Sequence, residues 1–327
     1  MHRAIAFTLS ACLCLFSRQF AAAQVARVDL SEYRLAATVN LPTFVDEASA
    51  IAYNPDTGRL YIIGDEGLGI GEFTRAGAYL GAMTFSGFQD TEGLTYTGNG
   101  RFVVAEERLQ NLYELSYVRF GSVSRATLPF VSLGPETGNS GIEGIAFEPR
   151  TGLFFAVKEK TPQRVLRVIA DFGTNSATVI DQFFPASLGL LDLADIAVLS
   201  TVPSLVGTAD QDNLLIISQE SARVVKCTRA GVVLQTLDLA GISATAEGIA
   251  IDERGVIFIV DETPRLYIFE RACPADFDHN GALNVGDIFA FLIAWFAGNP
   301  AANFDGAGGV EVGDVFSFLA AWFAGCG

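Results

Sequence analysis

The chain has 327 residues, half of them hydrophobic and 18% charged, with a formal net charge of −16. That length suits about two domains, and the 33 Gly and 26 Phe exclude a disordered chain. The negative balance argues against nucleic acid or an anionic membrane surface as partner; it suits cations, and equally simple solubility.

Residues 1–23 read as an export signal, with a weakly basic start at His2 and Arg3, an apolar stretch over 4–16, and Ala21-Ala22-Ala23 as the small-residue cleavage site before Gln24. The expected location is secreted, periplasmic or cell-surface. Leu9-Ser10-Ala11-Cys12 also resembles a lipoprotein box, which leaves a lipid anchor open. No stretch is long and apolar enough to span a bilayer. Three cysteines follow the signal: Cys227, Cys273 and Cys326. Export permits disulfides. Cys273 and Cys326 bracket the C-terminal unit and are expected to pair; Cys227 is expected as a packed, free thiol.

Past the signal, residues 33–41 alternate like a strand without a hairpin partner nearby. Then one sentence repeats. Residues 47–66, 90–108, 140–160 and 245–262 each place two apolar runs around a turn cluster, and a looser copy with a longer insert spans 193–220. Each copy reads as an antiparallel hairpin. Their anchors Ile51, Leu94, Ile145, Ile196 and Ile249 lie 43, 51, 51 and 53 residues apart. That period, in strands alone, marks the blades of a β-propeller. Further strand-like runs trail the hairpins at 69–73 and 79–85, 112–117 and 122–130, 164–170 and 177–183, and 222–227 and 232–237. The last hairpin has one follower, 265–269, so residues 33–41 are expected to complete its blade and close the ring. Five blades are predicted over 31–271; a sixth within 184–213 is the alternative.

After Glu270 the composition changes. Residues 273–327 form a tandem repeat in which Asp287 and Asp314, Trp295 and Trp322, and Gly298 and Gly325 are each 27 apart. Helices are predicted over 285–296 and 312–323. Asp276-Phe277-Asp278-His279-Asn280-Gly281-Ala282-Leu283-Asn284-Val285-Gly286-Asp287 fits calcium-loop spacing. Asp276, Asp278, Asn280 and Asp287 supply oxygens at positions one, three, five and twelve, Ala282 a carbonyl at seven, and Asn284 a water contact at nine. The second loop offers Asn303, Asp305, Glu311 and Asp314, with Ala307 in place of a ligand at position five, so a weaker or empty site is expected. The helices carry Phe289, Leu292, Trp295, Phe296, Phe316, Leu319, Trp322 and Phe323, expected mostly as the unit's own core. So small a unit needs metal or a disulfide for stability.

Only His2 and His279 are present, and His2 leaves with the signal. A Ser-His-Asp triad, a Cys-His pair and a His-based zinc site in the propeller are excluded, as is a P-loop. What recurs is acid at fixed phase. Glu47, Glu92, Glu143, Asp195 and Glu247 start the hairpins; Glu66, Glu107, Glu159, Glu220 and Glu262 end them, with Asp65 and Asp261 beside. In an inner hairpin these ends share one rim, where crowded carboxylates cannot all stay charged unless a hard cation, Ca²⁺ above all, relieves them. Arg108, Lys158, Lys160 and Arg265 offer a competing relief through ion pairs. Gly93, Gly144 and Gly248 are read as sites of close backbone approach near the axis.

The repeats resemble those of the SdiA-regulated proteins, distant relatives of NHL-repeat propellers, over about residues 31–270. The resemblance rests on Asp90-Thr91-Glu92-Gly93-Leu94, Ser140-Gly141-Ile142-Glu143-Gly144-Ile145-Ala146-Phe147, Val157-Lys158-Glu159-Lys160, Ser218-Gln219-Glu220-Ser221 and Ala246-Glu247-Gly248-Ile249-Ala250-Ile251-Asp252. It implies a five-bladed propeller with calcium near its centre and no established activity. Ser49 and Ala194-Asp195 depart from the Glu-Gly pattern, which puts ligands from those two blades in doubt. Asp at loop position twelve followed by one helix, twice over, is similar to a dockerin type I module, which implies a cohesin-like partner. Two functions are carried forward: a calcium-binding scaffold or binding protein for an unknown small-molecule ligand, and a calcium-dependent hydrolase of lactones or phosphate esters.

Overall fold

A computed structural model describes residues 27–325; the expected export signal and Cys326 lie outside the described residues. The chain begins with β1 (Tyr33–Asn40) and then builds four-stranded units in sequence. Blade one holds β2 (Ala48–Asn54), β3 (Arg59–Gly64), β4 (Gly69–Thr74) and β5 (Tyr79–Ser86). Blade two holds β6 (Thr91–Gly98), β7 (Arg101–Glu106) and β8 (Asn111–Ser116); β9 (Ser122–Ser124) follows, then β10 (Phe130–Ser132). Blade three is β11 (Ile142–Glu148), β12 (Leu153–Lys158), β13 (Arg164–Asp171) and β14 (Ser176–Phe183). Blade four is β15 (Asp195–Val198), β16 (Leu214–Ser218), β17 (Arg223–Cys227) and β18 (Val233–Asp238). Blade five is β19 (Ala246–Ile251), β20 (Ile257–Asp261) and β21 (Arg265–Arg271), completed by β1.

The ring closes as expected. β1 pairs antiparallel with β21 from Tyr33 opposite Arg271 to Asn40 opposite Arg265. The inner strands β2, β6, β11, β15 and β19 neighbour one another in turn, and β19 meets β2. Five buried clusters fill the five seams between blades. The alternation of each strand supplies one apolar row to each seam, which is why the blades need no other core. Cys227 is a free, buried thiol in the seam between blades three and four. Residues 184–213 form no sixth blade. Their insert makes the 3-10 turns Leu199–Thr201 and Pro203–Leu205, whose Leu199, Val202 and Leu205 bury themselves in the seam with blade five.

The run 122–130 is not the single outer strand expected of blade two. Ser122–Ser124 crosses to blade one and pairs parallel with β5, while blade two takes Phe130–Ser132 as its edge. Two local facts explain this. The buried Glu72 of blade one demands cations and receives Arg119 in a two-pronged pair at 2.6 and 2.7 Å, which draws the chain across. Pro129 has no N–H for a continuous ladder.

The C-terminal unit has α1 (Val285–Phe296) and α2 (Val312–Ala324), matching the predicted helices. Phe291 and Phe318 stack at its centre, 4.1 Å apart and parallel within 1°. Phe277 lies edge-on to Phe291 at 5.3 Å, and Phe304 edge-on to Phe318 at 5.4 Å, so the two repeats are related by a pseudo-two-fold. Leu292, Trp295, Leu319 and Trp322 pack against this core. Phe289, Phe296, Phe316 and Phe323 do not: all four are exposed, against the expectation of a mostly internal stripe. A core built on one aromatic pair covers only one side of each helix, and these helices are apolar on nearly every side. No helix among the described residues is long and apolar enough to cross a membrane.

Candidate functional site

The acidic rim is organised by a backbone irregularity. In β6, Thr91 faces Glu106 and Gly93 faces Ala105, which leaves Glu92 as an extra, unpaired residue. The same skip occurs at Glu143 in β11, at Glu247 in β19 and at Ser49 in β2. Four of the five inner strands thus carry a β-bulge at one phase. A bulge re-aims the side chain it carries, and here it turns three glutamates toward one another at the channel mouth. The following glycine lets the next blade close in. A Cβ on Gly144 would lie 2.4 Å from the Asp195 Cα, and one on Gly248 would lie 2.9 Å from the Ala50 Cα. The expected close backbone approach is observed at Gly144 and Gly248; at Gly93 the nearest atoms are the side chains of Ala105 and Ile145, both at 2.9 Å.

Glu92, Glu143 and Glu247 are half-buried, and burial is the first cause pushing all three carboxyls well above the usual range. Neighbouring acids add to it. Glu92 is opposed by Asp90, Asp65, Glu107 and Glu262; Glu143 by Glu92, Glu107 and Glu159; Glu247 by Glu92, Glu262, Asp192 and Glu159. Glu143 and Glu107 are close neighbours, and burial, before any neighbouring charge, raises both carboxyls. Glu107 also accepts the Gly141 amide at 2.8 Å. Among the described residues, none of Glu92, Glu107, Glu143, Glu247 and Glu262 makes an ion pair. The expected cationic relief reaches other acids of the rim, not these five. Arg108 pairs with Asp90 at 2.6 Å, and Lys160 with Glu159 and Glu220 at 2.7 and 2.6 Å. Among the described residues Lys158 is buried without an ion pair, and its ammonium is depressed by that burial, with Glu107 and Glu143 only partly offsetting it.

Beside the trio, Glu47, Asp65 and Glu66 hold carboxylate oxygens within 4.8 Å of one another. Asp65 Oδ1 is buried without a hydrogen-bond partner. Burial, then Glu47, pushes the Asp65 carboxyl up to about 6.

Two expected members are elsewhere. Asp195 occupies the place of the glycine, not of the axial glutamate, which in blade four is Ala194. Its carboxylate is fully buried and accepts the Ile249 and Ile196 amides at 2.9 and 2.8 Å. Asp261 turns into its own hairpin, accepting from Ser243, Thr263 and Tyr267 at 2.8 Å each. Sequence reasoning missed Asp192 and gave Asp90 no role. Each sits two residues ahead of the axial position, and that offset was the signal available.

Below the carboxylates the channel is apolar. Ile51, Leu94, Ile145, Ile196 and Ile249 line it together, one per blade, in a cavity of about 110 Å³. The mouth is therefore a polar cap on a channel whose axial wall is aliphatic.

A family model described as SdiA-regulated matches residues 26–270. The chain belongs to the SdiA-regulated family. Solved structures that resemble this SdiA-regulated protein include selenomethionine-substituted virginiamycin B lyase from Staphylococcus aureus, with 13% identity, 68% of this chain and 65% of that chain covered, and a TM-score of 0.39. An auxiliary nutrient binding protein from Bacteroides ovatus matches at 13% identity over 69% of each chain, with a TM-score of 0.46. A luciferin-regenerating enzyme matches at 11% identity, over 71% of this chain and 94% of that one, with a TM-score of 0.44. The chain spans about two thirds of the lyase's length. These likenesses concern the propeller fold alone.

In the C-terminal unit of the SdiA-regulated chain, Asp276, Asp278 and Asp287 bring carboxylate oxygens within 4.8 Å of one another. Asp287 also closes the start of α1, accepting the Asn284 amide at 2.8 Å, while Asn284 accepts from Gly286. Asn280 and Asn284 are turned to local backbone: Asn280 accepts the Ala282 amide, and the Asn284 side-chain amide donates to the Ala282 carbonyl. The second loop repeats the frame. Asp314 accepts the Glu311 and Asp305 amides at 2.8 and 3.1 Å. Asn303 Oδ1 is buried without a partner at the loop's first position.

Proposed function

We propose that this chain is an exported calcium-binding propeller that acts as a binding or scaffold protein at the cell exterior, with a calcium-dependent docking module behind it. The observation that carries the reading is the convergence of Glu92, Glu143 and Glu247 on three equivalent bulges with no cationic partner. Hard oxygen donors in excess, half-buried and mutually repelling, are what Ca²⁺ coordinates, and the orphaned Asp65 oxygen fits the same donor chemistry. Glu92, Glu143 and Glu247, with Glu107 and Glu159 at the rim, would hold the propeller's ion. Asp276, Asp278, Asn280, Asn284, Asp287 and the Ala282 carbonyl would hold the module's. Asn303, Asp305, Glu311 and Asp314 would form a weaker second cage. The exposed Phe289, Phe296, Phe316 and Phe323 provide the apolar face that a cohesin-like partner would cover. A Cys273–Cys326 bridge would tie the module's ends, and Cys273 packs against its core.

The second reading, a calcium-dependent hydrolase of a lactone or phosphate ester, is favoured by one observation. Glu143 and Glu107 lie side by side at the mouth with both carboxyls raised by burial, the kind of group that serves as a general acid or base. The bound ion would polarise the ester; Glu143 would take or give the proton.

Elemental analysis of the purified chain and calcium titration of wild type and Glu143→Gln test the proposal. Wild type should bind ions at both propeller and module and lose several degrees of melting temperature in chelator; Glu143→Gln should lose the propeller's share alone. Identical melting of both proteins with and without chelator overturns the propeller site. Ester and lactone hydrolysis abolished by Glu143→Gln would move the reading to the enzyme.

A further inference from the structure

The end of the ring opposite the acidic mouth carries a second, differently charged cleft. β11 starts at the mouth with Glu143 and ends at Glu148, so the turn into β12 lies at the far end. There, between blades three and four, an open cavity of about 540 Å³ is walled by Arg150, Arg167, Gln182, Asp212, Thr228 and Arg229. That is the size of a small-molecule site. Three guanidiniums in one cavity are unusual company in a chain of net charge −16.

Two of the three are already engaged. Arg229 Nη2 contacts the buried Glu148 Oε1 at 2.5 Å, its Nε donates to the Asp212 carbonyl at 2.8 Å, and it lies over the Phe155 ring at 4.2 Å. Arg150 Nη2 meets Asp212 Oδ1 at 2.5 Å. Glu148 and Asp212 therefore neutralise Arg150 and Arg229. Arg167 is left over. It sits directly across the ladder from Phe155, half-buried, and among the described residues it has neither an ion pair nor a hydrogen bond. Beside it, the Thr228 oxygen accepts the Ala230 and Val232 amides at 3.3 and 3.2 Å, which leaves its O–H to donate.

We infer that this cleft binds a small organic molecule through a single oxyanion group, a carboxylate or a phosphate, paired with Arg167. The charge count selects it: three guanidiniums against two carboxylates leave one positive charge, and a planar guanidinium with all its donors free is built for a two-pronged oxyanion contact. Arg229 is fixed by the buried Glu148 and the Asp212 carbonyl, and Arg150 by its pair with Asp212 on the exposed side of the cleft. Among the described residues the Arg167 guanidinium has no polar partner, so its donors are free for a ligand.

The test is equilibrium binding of glucuronate and of inorganic phosphate to the full chain, at ionic strength held constant with sodium chloride. Saturable binding of one molecule per chain is expected for at least one probe, weakened about tenfold or more in Arg167→Gln, with the melting temperature of that variant unchanged. Arg164→Gln, on the same strand but paired with Asp181 at 2.7 Å, should bind like wild type. Preference for glucuronate assigns the carboxylate; preference for phosphate assigns the phosphoryl group. No saturable binding of either probe, or equal binding by Arg167→Gln, overturns the inference.

Discussion

Asp195 Oδ2 accepts the backbone amide of Ile249 at 2.9 Å, from the inner strand of blade four to that of blade five. Its other oxygen accepts the amide of Ile196, and the Ile145 amide of blade three also donates to this carboxylate. One side chain thus fastens three blades beside the axis. It does so where the bulge of the other blades is missing, since β15 pairs Asp195 with Ile217 and Ile196 with Ile216 without a skip. Asp195→Ala leaves buried amides of three strands without an acceptor. The expected cost is about 2–4 kcal/mol, read as a lowered urea midpoint. Calcium binding at the C-terminal loop should be unaffected, which separates this structural role from a ligand role.

Much of the architecture was legible in the sequence, and for a definite reason. The repeated hairpin with its fixed anchors Ile51, Leu94, Ile145, Ile196 and Ile249 sets blade number, and a last blade one strand short predicts that 33–41 closes the ring. The bulges were not legible. An extra residue in a strand changes pairing without changing composition, so Glu92, Glu143 and Glu247 looked like ordinary strand starts. In the sequence Asp195 groups with the acids that start the hairpins, although Ala194-Asp195 in place of Glu-Gly already puts it at the glycine's position. The parallel excursion of Ser122–Ser124 depends on the buried Glu72, fifty residues away in sequence. In the C-terminal unit, helices apolar on nearly all sides carry no periodic signal of which face meets the core.

The three bulge glutamates make stability depend on pH in a stated direction. Their carboxyls are raised in the folded state, chiefly by burial. A raised carboxyl contributes stability that is complete below its unfolded value, about 4.3 for Glu, and that is lost as pH rises through the folded value. Melting in chelator should therefore climb as pH falls from 8 toward 5. Calcium should reverse the trend by favouring the ionised trio, and its binding at neutral pH should release protons. A calcium titration in unbuffered solution with a pH electrode checks this. A flat melting profile with no proton release contradicts the description of the mouth.

Asp287 and Asp314 hold the same frame in two loops of unequal oxygen supply. Each accepts two backbone amides at the start of its helix, and both carboxyls are lowered: at Asp287 burial works against the shift and the Asn284 and Asp278 amides outweigh it, and at Asp314 the Glu311 amide leads. Replacement of either by Ala should cost the capping contribution, about 1 kcal/mol. Only Asp287→Ala also removes a carboxylate from the Asp276–Asp278–Asp287 cluster. It should lower calcium stoichiometry by one and lose far more melting temperature in calcium than in chelator. Asp314→Ala should show the same calcium dependence to a smaller degree, because the second cage is the weaker one.

The stacked Phe291–Phe318 pair and the exposed Phe289–Phe316 pair are both related by the 27-residue repeat, yet they should behave oppositely. Phe318 is fully buried, and Phe277, Phe291 and Phe304 all contact its ring. Phe318→Ala opens a cavity that its neighbours cannot close without breaking the pseudo-two-fold, at about 3–5 kcal/mol. For a unit with so small a core, that is enough to unfold it while the propeller stays folded, and loss of the helical signal alone would show it. Phe289 and Phe316 lie outside, at 62% and 69% exposure. Phe289→Ser with Phe316→Ser should change melting by no more than about 0.5 kcal/mol per site. The same double variant should be less prone to self-association at high concentration, because it removes apolar surface that nothing among the described residues covers. Sedimentation of wild type and double variant in calcium measures that difference, and equal association of the two would show that this face is not the sticky one.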